Sequence, residues 1–148
     1  MKKSQRIKTL VKINAAQEKN ALEAIGEVRK KLLAAQAQIE HLKNYRREYQ
    51  DKFDLLGGGG IKVAQLLEFR SFIDKLDEAI LGQEQSLTTV ENELTDKRKI
   101  WEGLRHRTNS LQKVCDTARL AELKQQDKLE QSDQDERAAR SGRAIRDS

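Results

Sequence analysis

Apolar residues recur along this chain at alternating steps of four and three, in two long runs interrupted by four consecutive glycines. In the first run, positions 7, 11, 14, 18, 21, 25, 28, 32, 35, 39, 42, 46, 49, 53 and 56 are apolar at twelve of fifteen places; Asn14, Glu18 and Arg46 are the exceptions. In the second, positions 69, 73, 76, 80, 83, 87, 90, 94, 97, 101, 104, 108, 111, 115 and 118 are again apolar at twelve of fifteen, broken by Gln83, Lys97 and Thr108. A sustained 3.5-residue repeat predicts helices that wind around each other and pack knobs into holes. Between the runs stands Leu55-Leu56-Gly57-Gly58-Gly59-Gly60-Ile61. Four glycines disfavour a continuous helix by roughly 4 kcal/mol and supply the backbone angles of a reversal. A phosphate-cradling loop needs a preceding strand and a following Lys-Ser or Lys-Thr, and neither is present. The pattern therefore predicts an all-α fold, a long antiparallel two-helix coiled-coil hairpin spanning 1–148. Its first arm covers about 4–56, the glycine tip 57–61, and the second arm about 62–129, with a frayed tail over 130–148. At about 1.5 Å per residue, arms of this length predict a rod of roughly 80 Å.

Side-chain size and polarity suggest the register. If facing positions sum to 122, Ala21 makes room for Trp101, Asn14 can hydrogen-bond Thr108, Phe53 meets Phe69 and Leu42 meets Ile80. A polar layer such as Asn14–Thr108 fixes register at some cost in stability. The two flanks of this seam differ. One edge, with Lys43, Arg70, Asp77, Glu84 and Arg105 among its members, reads as solvated. The other includes Leu10, Ala24, Tyr45, Phe72, Ala79, Ile100 and Val114. Two helices cannot bury three apolar columns by themselves, and such a surplus marks a docking surface. The competing reading is that Tyr45 and Phe72 only shield the seam. Leu10, Ile100 and Val114 form a second expected patch toward the open end.

Charged residues make up 36% of the chain and aromatics 4%, with no proline, a profile of long helices rather than of a layered core. Residues 1–56 carry 13 basic and 7 acidic side chains, residues 57–125 carry 11 of each, and residues 126–148 carry 5 and 6. The first arm thus favours acidic partners, without the dense basic runs of nucleic-acid arms. Cys115 is the single cysteine, so there is no disulfide framework, and it occupies a seam position suited to a small apolar side chain. No apolar run approaches the ~20 residues of a membrane span, and the basic start is not followed by the apolar region of a secretion signal. His41 and His106 fall on outward positions of different arms. No nucleophile with a base, zinc spacing or dinucleotide motif is found, so neither catalysis nor a metal or other cofactor is expected. Beyond Leu129 the seam dissolves, Ser132-Asp133-Gln134-Asp135-Glu136 is too polar to pack, and Arg137, Arg140, Arg143 and Arg146 recur at every third residue.

The two-arm plan, Tyr45-Arg46-Arg47-Glu48-Tyr49 before the tip and Phe69-Arg70-Ser71-Phe72-Ile73-Asp74-Lys75-Leu76-Asp77-Glu78-Ala79-Ile80 after it resemble the FliJ family of the flagellar type III export apparatus. Trp101 followed by basic residues fits as well. The resemblance covers essentially the whole chain. It implies a non-enzymatic, central-stalk-like protein similar in fold to the gamma-subunit stalk of rotary ATPases. Its implied partners are the hexameric export ATPase at the open end, and the cytoplasmic platform of the membrane export gate and substrate-free export chaperones near the tip. The implied location is cytoplasmic, peripheral at the inner-membrane face of the flagellar base. The family's surface stripe falls here on Gln38, Leu42, Tyr45, Tyr49, Phe72, Leu76, Ala79 and Gln83, the last standing where some members have histidine.

Three other readings stay open at this point. A virulence-type secretion stalk has the same heptad plan. A prefoldin-like holdase is also a helical hairpin with surplus apolar surface, but usually carries strands at its tip. An RNA-binding helical arm would use the basic first arm and bind with steep salt dependence.

Overall fold

The computed structural model describes residues 2–57, 59–60 and 62–147, and in it the chain folds as two helices, α1 (Lys3–Gly57) and α2 (Val63–Asp147). The fold is all-α, a helical hairpin of two long packed helices, and no strand occurs among the described residues. Both helices start without a Ser, Thr, Asp or Asn cap. The carbonyl of Lys2 instead accepts the amides of Gln5 and Arg6, and that of Lys62 accepts those of Gln65 and Leu66. Toward the tip, the amide of Gly59 donates to the carbonyl of Leu56 at 3.1 Å, and Gly60 takes a φ of 81°, which a side chain would resist. Gly58 and Ile61, also part of the predicted tip, lie outside the described residues.

The chain divides into two compact units. One is Asn20–Trp101, and the other joins the residues up to Lys19 with those from Glu102 onward. In the first, Lys31–Glu93, Lys43–Glu84 and Arg46–Asp77 are ion pairs. Their partners run in opposite directions along the sequence, as antiparallel helices require. Its core is Ile25, Val28 and Leu94, covered by Leu32, Val90 and Trp101. In the terminal unit, Asn14 is 4% exposed and donates to the Thr108 hydroxyl at 2.7 Å and the Leu104 carbonyl at 2.9 Å. This is the expected polar layer, and Glu18–Arg105 lies one turn away at 3.0 Å.

Burial follows the heptads closely. Ile7, Asn14, Ile25, Val28, Ile39, Ile73, Leu76, Leu94 and Cys115 are the buried residues, and all of them are seam positions. Among the described residues no large side chain is completely enclosed, because two helices cover a seam from only two sides. In the segment expected to fray, α2 continues as helix through 130–147, with every described side chain from Leu123 to Arg146 exposed. Good helix formers, no proline and the i,i+4 pair Glu136–Arg140 at 3.4 Å favour helix where no tertiary contact demands it.

Candidate functional site

The expected docking stripe lies wholly within the Asn20–Trp101 unit. On α1, Gln38, Leu42, Tyr45 and Tyr49 follow one another by four, three and four residues; on α2, Phe72, Leu76, Ala79 and Gln83 follow by the same steps. Such spacing keeps each set on one helical face. Aromatic packing joins the two helices. Tyr49 is the hub: its ring centroid is 4.5 Å from Phe72, 5.2 Å from Tyr45 and 5.7 Å from Phe69. Tyr45 meets Phe72 edge-on at 6.1 Å with an interplanar angle of 82°, and Phe53 continues the cluster to Phe69 at 6.4 Å. Offset and edge-on geometries of this kind each contribute about 0.5–1.5 kcal/mol beyond burial. Lys52 places its ammonium 5.6 Å from the centre of the Tyr49 ring.

Exposure separates the members of the stripe. Gln38, Tyr45 and Ala79 are exposed; Leu42, Tyr49, Phe72 and Gln83 are half-buried. Leu76 is only 7% exposed and belongs to the seam, so it supports the stripe from beneath rather than offering surface. The Tyr45 phenol is held above its ordinary pKa, first by hydrogen bonding with Tyr49 and then by desolvation, with the Glu48 carboxylate adding to the effect. The opposite edge is charged and paired: Asp77 accepts two hydrogen bonds from Arg46 and holds that guanidinium more firmly protonated, while Lys43 reaches Glu84 at 3.4 Å. Near the tip one flank of this unit is thus aromatic and the other ionic; farther along the aromatic flank Lys31 pairs with Glu93 at 3.8 Å.

The second expected patch is less unified. Leu10 and Val114 are exposed in the terminal unit, and Ile100 is exposed in the other. Val114 borders a groove of about 440 Å³ lined also by Lys3, Lys113, Ala118, Ala121 and Glu122. Sequence reasoning missed Glu122. Its carboxylate accepts the Ser4 amide at 3.1 Å and the Ser4 hydroxyl at 2.5 Å, capping from α2 the otherwise uncapped, basic start of α1. These two bonds, side chain before backbone, hold Glu122 below the usual carboxylate range, with Lys2 adding to the effect against partial desolvation. The available signal was a helix start without its own acid, and an acid one heptad beyond Cys115 in the opposing arm. Among the described residues no cluster of His, Cys, Asp and Glu could hold a metal ion, and no helix is long and apolar enough to cross a membrane.

Comparison with known proteins adds a family. The family model described as "Flagellar FliJ protein" matches residues 2–145. The flagellar FliJ protein of Salmonella typhi is 25% identical over 134 residues, covering 90% of this chain and 91% of that protein. That of Escherichia coli K12 is 24% identical over 132 residues, covering 89% and 90%. No solved structure matches the chain. With a family model spanning nearly its whole length and relatives matched over about nine tenths of theirs, the chain belongs to the flagellar FliJ protein family.

Proposed function

We propose that this chain, a component of the flagellar export apparatus by family, works without catalysis as a stalk-like adaptor. In this reading it binds the hexameric export ATPase, connects it to the cytoplasmic platform of the membrane export gate, and receives substrate-free export chaperones. It does so at the cytoplasmic face of the inner membrane. The observation that carries the reading is the Tyr45–Tyr49–Phe72 platform: three packed aromatic rings off or at the margin of the seam, on the flank opposite the Arg46–Asp77 and Lys43–Glu84 pairs. Gln38, Leu42, Ala79 and Gln83 extend that edge as contacts for the gate and chaperones, with Leu76 as its floor. Leu10 and Val114, with Ile100 as a further exposed apolar residue, are the candidate contacts to the ATPase.

Burying a Phe at a partner is worth about 1.5–3 kcal/mol, roughly tenfold to more than a hundredfold in affinity. Phe72→Asp therefore abolishes measurable gate binding and impairs chaperone capture and motility, while far-UV circular dichroism changes little and melting falls less than for a seam variant. Phe69→Asp, at a seam position against Tyr49 and Phe53, lowers the melting temperature. If Phe72→Asp melts as early as Phe69→Asp, Phe72 is core; if it binds the gate normally, the platform is not the docking surface.

A further inference from the structure

The exposed end of α2 carries a charge pattern that the adaptor reading leaves unused. Residues 127–136 hold five acids, Asp127, Glu130, Asp133, Asp135 and Glu136, against the single base Lys128, a net of −4. Residues 137–146 hold Arg137, Arg140, Arg143 and Arg146 and no acid, a net of +4. The acids at 127, 130, 133 and 136 and the arginines at 137, 140, 143 and 146 both step by three, so the segment is a charge palindrome about the 136–137 bond. At about 100° per residue, Glu130, Asp133, Glu136, Arg137, Arg140 and Arg143 fall within one arc of about 140°, which also contains Leu129 and Ala144. The segment is helical, and its described side chains through Arg146 are all exposed. Across the junction α2 forms the pair Glu136–Arg140, with both side chains mostly in solvent.

We propose that residues 127–146 are a self-recognition segment that pairs antiparallel with the same segment of a second copy of this chain. Antiparallel pairing brings the acidic half of each copy against the basic half of the other. Asp133 then stands level with Arg140, Glu130 with Arg143, Glu136 with Arg137 and Leu129 with Ala144; opposite positions sum to 273. Parallel pairing sets acid on acid and base on base, so the charges select the orientation as well as the partner. Two-fold symmetry makes every contact occur twice. The pairing is weak, because its ion pairs are exposed and its apolar content is small. A paired chain has its tail occupied, which makes the dimer a reserve form competing with any partner that grips the termini. That last step rests on the proposed adaptor function; the pairing itself does not.

Sedimentation equilibrium of the full chain alone tests it. At about 0.3 mM chain and about 20 mM salt, where the screening length is about 20 Å, a species of twice the 17.0 kDa chain mass is expected. Raising salt to about 0.5 M should weaken association at least tenfold. Two triple variants then isolate the charges: Arg137→Glu with Arg140→Glu and Arg143→Glu, and Glu130→Arg with Asp133→Arg and Glu136→Arg. Each alone should be monomeric, and their equimolar mixture should restore a dimer. A wild-type chain that stays monomeric at low salt overturns the proposal, as does a dimer that survives in either variant alone. A mixture that fails to associate, with both variants as helical as wild type, overturns it too.

Discussion

Asn14 and Glu122 show how single polar groups organise a thin seam. Asn14 is buried yet satisfied by Thr108 and the Leu104 carbonyl, so it contributes register rather than unpaired cost. Glu122 supplies a carboxylate to a helix start whose own first turn has no acid and whose N-terminal dipole faces Lys2 and Lys3. Because its pKa is lowered on folding, its contribution is present above the unfolded carboxylate pKa of about 4.3 and is lost as pH falls through the lower folded value. Glu122→Gln should therefore speed amide exchange at Ser4 and lower the melting temperature at neutral pH. The difference from wild type should shrink in acid; a pH-independent difference would show that the charge of Glu122 is not what stabilises the start. Gly82 is a second residue-scale case. It lies in mid-helix, exposed, with nothing within 4 Å of an added Cβ. Gly82→Ala should stabilise the chain by up to about 1 kcal/mol, read as a higher denaturant midpoint.

At the scale of the elements, the pairing of α1 with α2 is decided by which positions face the seam. Ala21 is half-buried on the seam, whereas Lys31 is exposed on the flank and forms only a solvent-facing pair with Glu93. Ala21→Trp should overpack its layer and cost about 1–3 kcal/mol. Lys31→Trp gives up an exposed ion pair worth at most about 1 kcal/mol and should melt close to wild type. Equal melting temperatures for the two variants would reject the assigned faces. The same logic orders the docking stripe. Leu76 repeats the spacing of Phe72 and Ala79 but faces inward, so Leu76→Asp should unfold its unit where Ala79→Asp leaves it folded and weakens partner binding.

Over the whole molecule, protection should follow the seam. Hydrogen exchange is expected to be slowest around Ile25, Val28 and Leu94, which form the buried cluster, and fastest beyond Lys124, where each helical turn stands without tertiary cover. Uniform protection along α2 would mean that something buries the tail, and self-association is the first candidate to examine by repeating the measurement at high salt. The helical hairpin was legible in the residues because heptad spacing and a glycine run are local signals. The aromatic stripe was legible only in outline. Periodicity placed Tyr45 and Phe72 on one flank, but the hub role of Tyr49 depends on ring orientations that spacing does not carry.

What the sequence determined by itself is the all-α hairpin, the seam positions and the Asn14–Thr108 layer. Each follows from a repeat that every turn restates, so errors at single positions do not accumulate. What only the tertiary structure decided is where cover runs out. It set Leu76 under the stripe and Tyr45 at 39% exposure, and it placed Glu122 against Ser4 across 118 residues of chain. These outcomes depend on distances between the two helices and on the competition of neighbouring side chains for the same space, which no local pattern encodes.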